Sequence, residues 1–303
     1  MGTPRDSFDQ RINHTLIIAM GIFALLFVYY ALDFGVRGLS QDLSEETHLF
    51  TANTPLPNTA IFTHMLAGAL ITFLAPLQLF TPLRRRYPAL HRASGYLFFT
   101  SAIFTAIAGL SFIAINQTIG GPVMDIAFAL YGLCVLVCSV QTVRFARARD
   151  FVTHREWALR IFVLAMGSWL YRMQYGVWFA VMGDTGIGEN FSGPFDYFQD
   201  FAFFVPYLLG VEVYIRHQRA GRSLLPVHVT RGLAISAIIL LGLGSYAFAP
   251  VFFGLGQGWR KRLTQFHCRF FDRFHSSLYT AGKRDERMDH IGVTNMPYGN
   301  ARR

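Results

Sequence analysis

The chain has 303 residues, of which 52% are hydrophobic, 16% aromatic and 15% charged, where soluble domains carry roughly a quarter charged residues. That balance excludes an ordinary soluble fold. The net charge of +9 raises the question of nucleic acid, but the arginines stand at the ends of apolar runs and not along one polar face, so no nucleic-acid partner is expected.

A hydrocarbon core about 30 Å thick takes about 20 helical residues to cross, and seven apolar stretches of roughly that length follow one another. The first, Thr15 to Arg37, is longer than a signal-peptide core and no small-residue cleavage pattern follows Leu32, so it reads as an anchor helix. Next come Ala60 to Thr81, Ser94 to Ile115, Val123 to Val143, and Trp157 to Met182. The sixth, Phe198 to Ile215, is short and holds Pro206, Asp200 and Glu212. The seventh is Thr230 to Phe253. The alternating pattern of a membrane barrel is missing, so the expected fold is all-α: a polytopic membrane helix bundle of about seven transmembrane helices over residues 1–254. Residues 255–303 read as a basic, poorly ordered tail, within which Trp259 to Tyr279 interleaves aromatic and basic residues as an interfacial amphipathic helix would.

Arginine placement predicts the orientation, because cytoplasmic loops retain Lys and Arg. One set of loops carries Arg84, Arg85, Arg86 and Arg92, then Arg144, Arg147, Arg149 and Arg155, then Arg216, Arg219, Arg222 and Arg231. The other set carries Asp42, Glu45, Glu46, Asp125, Asp184, Glu189, Asp196 and Asp200. The amino terminus is therefore expected in the cytoplasm, in a plasma membrane of the bacterial inner-membrane type. Seven crossings would then place the tail outside, although it holds ten basic residues from Arg260 to Arg303. The two readings conflict at that end. The lipid bilayer is the expected partner, with anionic headgroups against Arg84, Arg85 and Arg86.

Polar side chains inside membrane helices are candidates for function. Here they are His64, Gln78, Gln141, Arg160, Arg172 and Gln174, with His91 and His154 at the cytoplasmic mouths of the third and fifth helices. His154 and Arg172 are eighteen residues apart, which is five turns, so both fall on one stripe about 27 Å long. His64 and Gln78 also share a stripe. Two polar layers follow: His64 with Arg172 in the outer half, and His91, His154, Asp150 and Arg160 at the inner side. Paired imidazoles from different helices can ligate the iron of a b-type haem, with arginines on its propionates. His91-Arg92 and His154-Arg155 suit anionic lipid equally well. Asp150 is either a tautomer-fixing partner of His154 or the N-cap of the fifth helix. The small residues Ser94, Gly95, Ala102, Thr105 and Gly109 admit a flat macrocycle or a close helix neighbour.

Three cysteines exclude a disulfide framework, and Cys134 and Cys138, one turn apart without a nearby His or acid, read as packing. The first lysine is Lys261, which excludes a retinal Schiff base in the bundle.

The segment His64-Met65, Gly68, Pro76, Gln78, Arg86, Pro88, His91-Arg92 and Gly95-Tyr96, followed by Asp150, His154-Arg155, Trp157 and Arg160, resembles the domain-of-unknown-function family 2306 of predicted membrane proteins, over roughly residues 60–220. That resemblance implies no activity. A weaker similarity is to the ascorbate-dependent transmembrane cytochrome b proteins, in which histidines of the third and fifth helices hold the inner haem. It implies His91 and His154 as iron ligands. The fourth helix has no histidine, so His64 lacks the partner that an outer haem needs.

Three functional expectations result. The first is a haem-b-binding redox protein with His91 and His154 on the metal and His64, Arg160 and Arg172 as further cofactor-binding residues. The second is a cofactor-free carrier of small solutes or protons with His64, Arg172 and Gln174 lining a polar cavity. The third is a non-catalytic membrane component.

Overall fold

The computed structural model describes residues 4–44, 50, 55–220 and 227–252, and the expected tail with its Trp259 to Tyr279 segment lies outside them. Every regular element among the described residues is helical. In chain order they are α1 (Pro4–Ser40), α2 (Pro55–Leu79), α3 (Thr81–Arg86), α4 (Pro88–Asn116), α5 (Pro122–Arg147), α6 (Phe151–Ala165), α7 (Gly167–Met182), α8 (Pro194–Ala202), α9 (Val205–Arg219) and α10 (Val227–Phe252). Proline occupies the first turn of α3, α4, α5, α8 and α9, where its missing N–H leaves nothing unpaired.

Among the described residues, five helical stretches are long and apolar enough to cross a membrane: His14–Ser40, Asn58–Leu79, Pro88–Ile115, Pro122–Arg147 and Pro194–Arg219. Their outward faces are what lipid requires. Ile18, Ile22, Leu25, Tyr29, Leu32, Val36 and Leu39 form one exposed stripe on α1, and Ile126, Leu130, Leu133, Val137 and Val140 another on α5. An exposed apolar surface of this extent marks contact with an apolar medium.

The fifth expected crossing, Trp157 to Met182, is a pair of abutting helices and not one. α6 ends at Ala165 and α7 begins at Gly167, with Met166 between them. The break has an identifiable cause. The Tyr131 hydroxyl donates to the Leu164 carbonyl at 2.6 Å, and a Cβ on Gly167 would stand 3.1 Å from the Tyr131 ring and 3.3 Å from Phe203. A side chain set into the helical ladder opposite a glycine is a normal origin of a kink. The pair is also less apolar than its neighbours, because it is sheathed by them: no residue from Glu156 to Trp178 is exposed. The sixth expected crossing is likewise two helices, α8 and α9, meeting at Phe203 and Phe204. In the seventh, α10, the apolar stretch among the described residues is Ile235–Phe248.

α1 packs on α2, α2 on α4, α4 on α5, α5 on α6, α7 on α10 and α10 on α1, which closes a ring, while α8 lies against α5 and α9 against α6. The α7–α10 contact is backbone to backbone. A Cβ on Gly244 would stand 2.7 Å from the Met173 carbonyl oxygen, and one on Gly176 would stand 2.7 Å from that of Gly244. Small residues permit this approach. Gly244→Leu is expected to push the helices apart at a cost of about 1–3 kcal/mol, the usual range for overpacking, visible as a lower thermal midpoint in detergent. An unchanged midpoint would mean that the contact does not hold the ring closed.

Candidate functional site

The basic ends of the helices gather at one end of the ring. His14, where the apolar part of α1 begins, meets Phe80, just after α2, with ring centroids 6.0 Å apart. Gln78 Nε2 donates to Ser94 Oγ of α4 at 2.9 Å. Arg219 at the end of α9 forks onto Glu156 near the start of α6. Arg84, Arg92 and His154 all act electrostatically on His91, which brings the entrances of α4 and α6 together.

The turn between α5 and α6 places His154. Arg149 adopts the left-handed conformation at φ 60°, the Asp150 amide donates to the Phe145 carbonyl at 3.1 Å, and the Asp150 carboxylate accepts from the Thr153 amide at 3.1 Å. Asp150 is therefore the N-cap. Hydrogen bonding from the Thr153 side chain, and then from its amide, holds the carboxyl below the usual carboxylate range. With α6 folded back on α5, His154 Nδ1 meets the Thr142 carbonyl at 3.0 Å. A carbonyl only accepts, so Nδ1 carries the proton and Nε2 keeps its lone pair. The orienting partner is thus a backbone oxygen of α5 and not Asp150. Across from it, His91 Nδ1 is buried without a hydrogen-bond partner, as are Ser139 Oγ and Gln141 Oε1 on α5.

Arg160, six residues further along α6, has a protein partner. Its Nη2 donates to Glu212 Oε2 at 2.6 Å and its Nε to the same oxygen at 3.2 Å, while the guanidinium lies 4.7 Å over the Trp157 ring. Together with Glu156–Arg219 this makes two ionic rungs joining α6 to α9. Both acids had been legible in the sequence only as isolated charges.

The second layer lies deeper. Thr105 is fourteen residues along α4 from His91, about 21 Å, and His64 is as far along α2 from Gln78. His64 Cε1 stands 3.6 Å from where a Cβ on Gly109 would be, and Gly95 similarly faces Gln78 Oε1 at 3.2 Å. These glycines serve helix packing. Arg172 acts electrostatically on His64 and sits among Tyr30, Tyr131 and Tyr171. Its Nη1 donates to Ser168 O at 2.9 Å and to Ser168 Oγ at 3.0 Å, and its guanidinium carbon lies 5.1 Å from the Phe27 centroid. Among the described residues no carboxylate pairs with it. Thr105 Oγ1, one turn from Gly109, and Trp169 Nε1, one turn from Arg172, are buried without hydrogen-bond partners.

Gln174 belongs elsewhere. It donates to the Tyr207 hydroxyl at 2.9 Å and accepts from Gln199 Nε2 at 2.7 Å, tying α7 to α8 and α9. Nearby, Asp196 is fully buried. It accepts from the Tyr175 hydroxyl at 2.6 Å and from the Gly188 and Gly193 amides at 2.8 Å each.

The five candidate residues therefore fall into two sites. His91 and His154 lie within electrostatic range of each other at the basic end, with Arg160 engaged by Glu212, and His64 and Arg172 are likewise within electrostatic range about 20 Å deeper along the helices. Among the described residues no cluster of three or more His, Cys, Asp or Glu side chains forms a metal site. No curated protein and no solved structure matches the chain. Residues 61–189, which carry His64, His91, His154, Arg160 and Arg172, match the model of a family described as predicted membrane protein (DUF2306).

Proposed function

We propose that the protein is a seven-crossing redox protein of a bacterial plasma membrane, with its basic end in the cytoplasm and a b-type haem held there by His91 and His154. The observation that carries this reading is the imidazole pair at the entrances of α4 and α6, with His154 fixed through Nδ1 so that Nε2 keeps a free lone pair. Donation of Nδ1–H to a backbone carbonyl sets the tautomer and ring angle of a ligating histidine. A haem so held supplies one-electron transfer.

The residues around the pair fit that group. His91 brings a buried ring nitrogen without a partner, and Arg84 and Arg92 lie close enough to act on it, where guanidinium groups would meet propionates. Arg84, Arg85 and Arg86 also stand at the surface, on the short helix α3, where anionic headgroups would contact them. The seven-crossing count is supported by the sheathing of α6 and α7, whose polar residues face other helices, and by the 26-residue length of α10. The cytoplasmic placement of the basic end follows the positive-inside rule.

A reduced-minus-oxidised absorption spectrum of full-length protein, purified in detergent from haem-replete cells, tests the reading. A sharpened α-band and a shifted Soret band on reduction are expected. A flat difference spectrum would rule it out.

A further inference from the structure

Arg172 presents a separate problem. It is enclosed by side chains of α1, α2, α5 and α7, yet part of its surface stays uncovered, and the same is true of His64. Both side chains are half-buried, so each keeps surface that a small ligand can reach. A guanidinium at this depth demands compensation, and what surrounds it is a set of neutral groups: Ser168, the Phe27 ring, three tyrosines and His64. The nearby groups without partners, Trp169 Nε1 and Thr105 Oγ1, are a pure donor and a hydroxyl. One fixed positive charge, several donors and, among the described residues, no carboxylate select an anion of single charge. The aromatic walls of Phe27, Tyr30, Tyr131 and Tyr171 select a compact planar body over a hydrated ion.

We infer that the space beside Arg172 and His64 binds a small organic monocarboxylate, with the carboxylate on the Arg172 guanidinium. Only Nη1 is engaged by Ser168, so the guanidinium retains N–H groups for an oxyanion. The site is about 20 Å along the helices from His91 and His154, so it stands whether or not a haem is held there.

Benzoate is the probe, read as the thermal midpoint of full-length protein in detergent. The midpoint is expected to rise saturably with benzoate and to stay put with benzamide, its uncharged analogue, or with chloride at equal ionic strength. Arg172→Lys and His64→Ala are each expected to weaken the benzoate response at least tenfold, and Arg172→Leu to abolish it if the chain assembles. His91→Ala with His154→Ala is expected to leave it intact, which separates this site from the haem reading. No rise with benzoate, an equal rise with benzamide or chloride, or an undiminished response in both Arg172→Lys and His64→Ala would overturn the inference.

Discussion

Replacing Asp196 by alanine is expected to lower stability by about 3–5 kcal/mol, the range for removing one member of a buried, fully engaged charged network. The carboxylate satisfies the Tyr175 hydroxyl and the Gly188 and Gly193 amides at once. Its loss strands the buried Tyr175 hydroxyl and Gly193 amide and the part-buried Gly188 amide, around a carboxylate that is itself wholly covered. The same corner carries Trp178 stacked on Phe195 at 4.0 Å, so the damage should spread to the packing of α7 on α8. Thermal unfolding in detergent measures it, with Asp184→Ala at an exposed position of the same loop as the control. Equal behaviour of the two variants would show that Asp196 is not the pin of this corner.

Asp196 also shows where the sequence stops being informative. In the chain it is one of several acids in a loop between apolar stretches, and charge counting assigns it to the water side. Its burial depends on Gly188 and Gly193 presenting their amides from the two arms of a tight loop, which no local spacing announces. Glu156 and Glu212 are similar: each is an acid near a helix end until α6 and α9 lie side by side and supply Arg219 and Arg160. By contrast, the helical class follows directly from the length of the apolar runs, and the two polar layers follow from counting turns. The stretch Trp157 to Met182 was legible as helix but not as a kinked pair, because the kink depends on Tyr131 of another helix reaching the Leu164 carbonyl. The Thr142 carbonyl that orients His154 has no signature at all, since every residue carries one.

The largest functional effect is expected at the histidine pair. His154→Ala removes the imidazole whose tautomer the Thr142 carbonyl fixes, and His91→Ala removes the one opposite. Either should strip most of the haem or leave it with a single protein ligand. His64→Ala, fourteen residues along α2 from the basic end and set against Gly109, should keep the wild-type complement. A variant at Asp150 should behave like wild type in haem content, because its carboxylate serves the Thr153 amide and not the imidazole. Haem per chain, determined by pyridine haemochrome against protein mass, is the readout. Equal haem loss on replacing His64 would place the group in the deeper layer instead.

The most direct measurement is low-temperature electron paramagnetic resonance of the oxidised full-length protein, which reports the axial ligands of ferric haem. The account predicts a low-spin signal of two imidazoles that turns high-spin, or disappears with the haem, in both His91→Ala and His154→Ala. Protein without haem, or a low-spin signal that survives both substitutions, would contradict it.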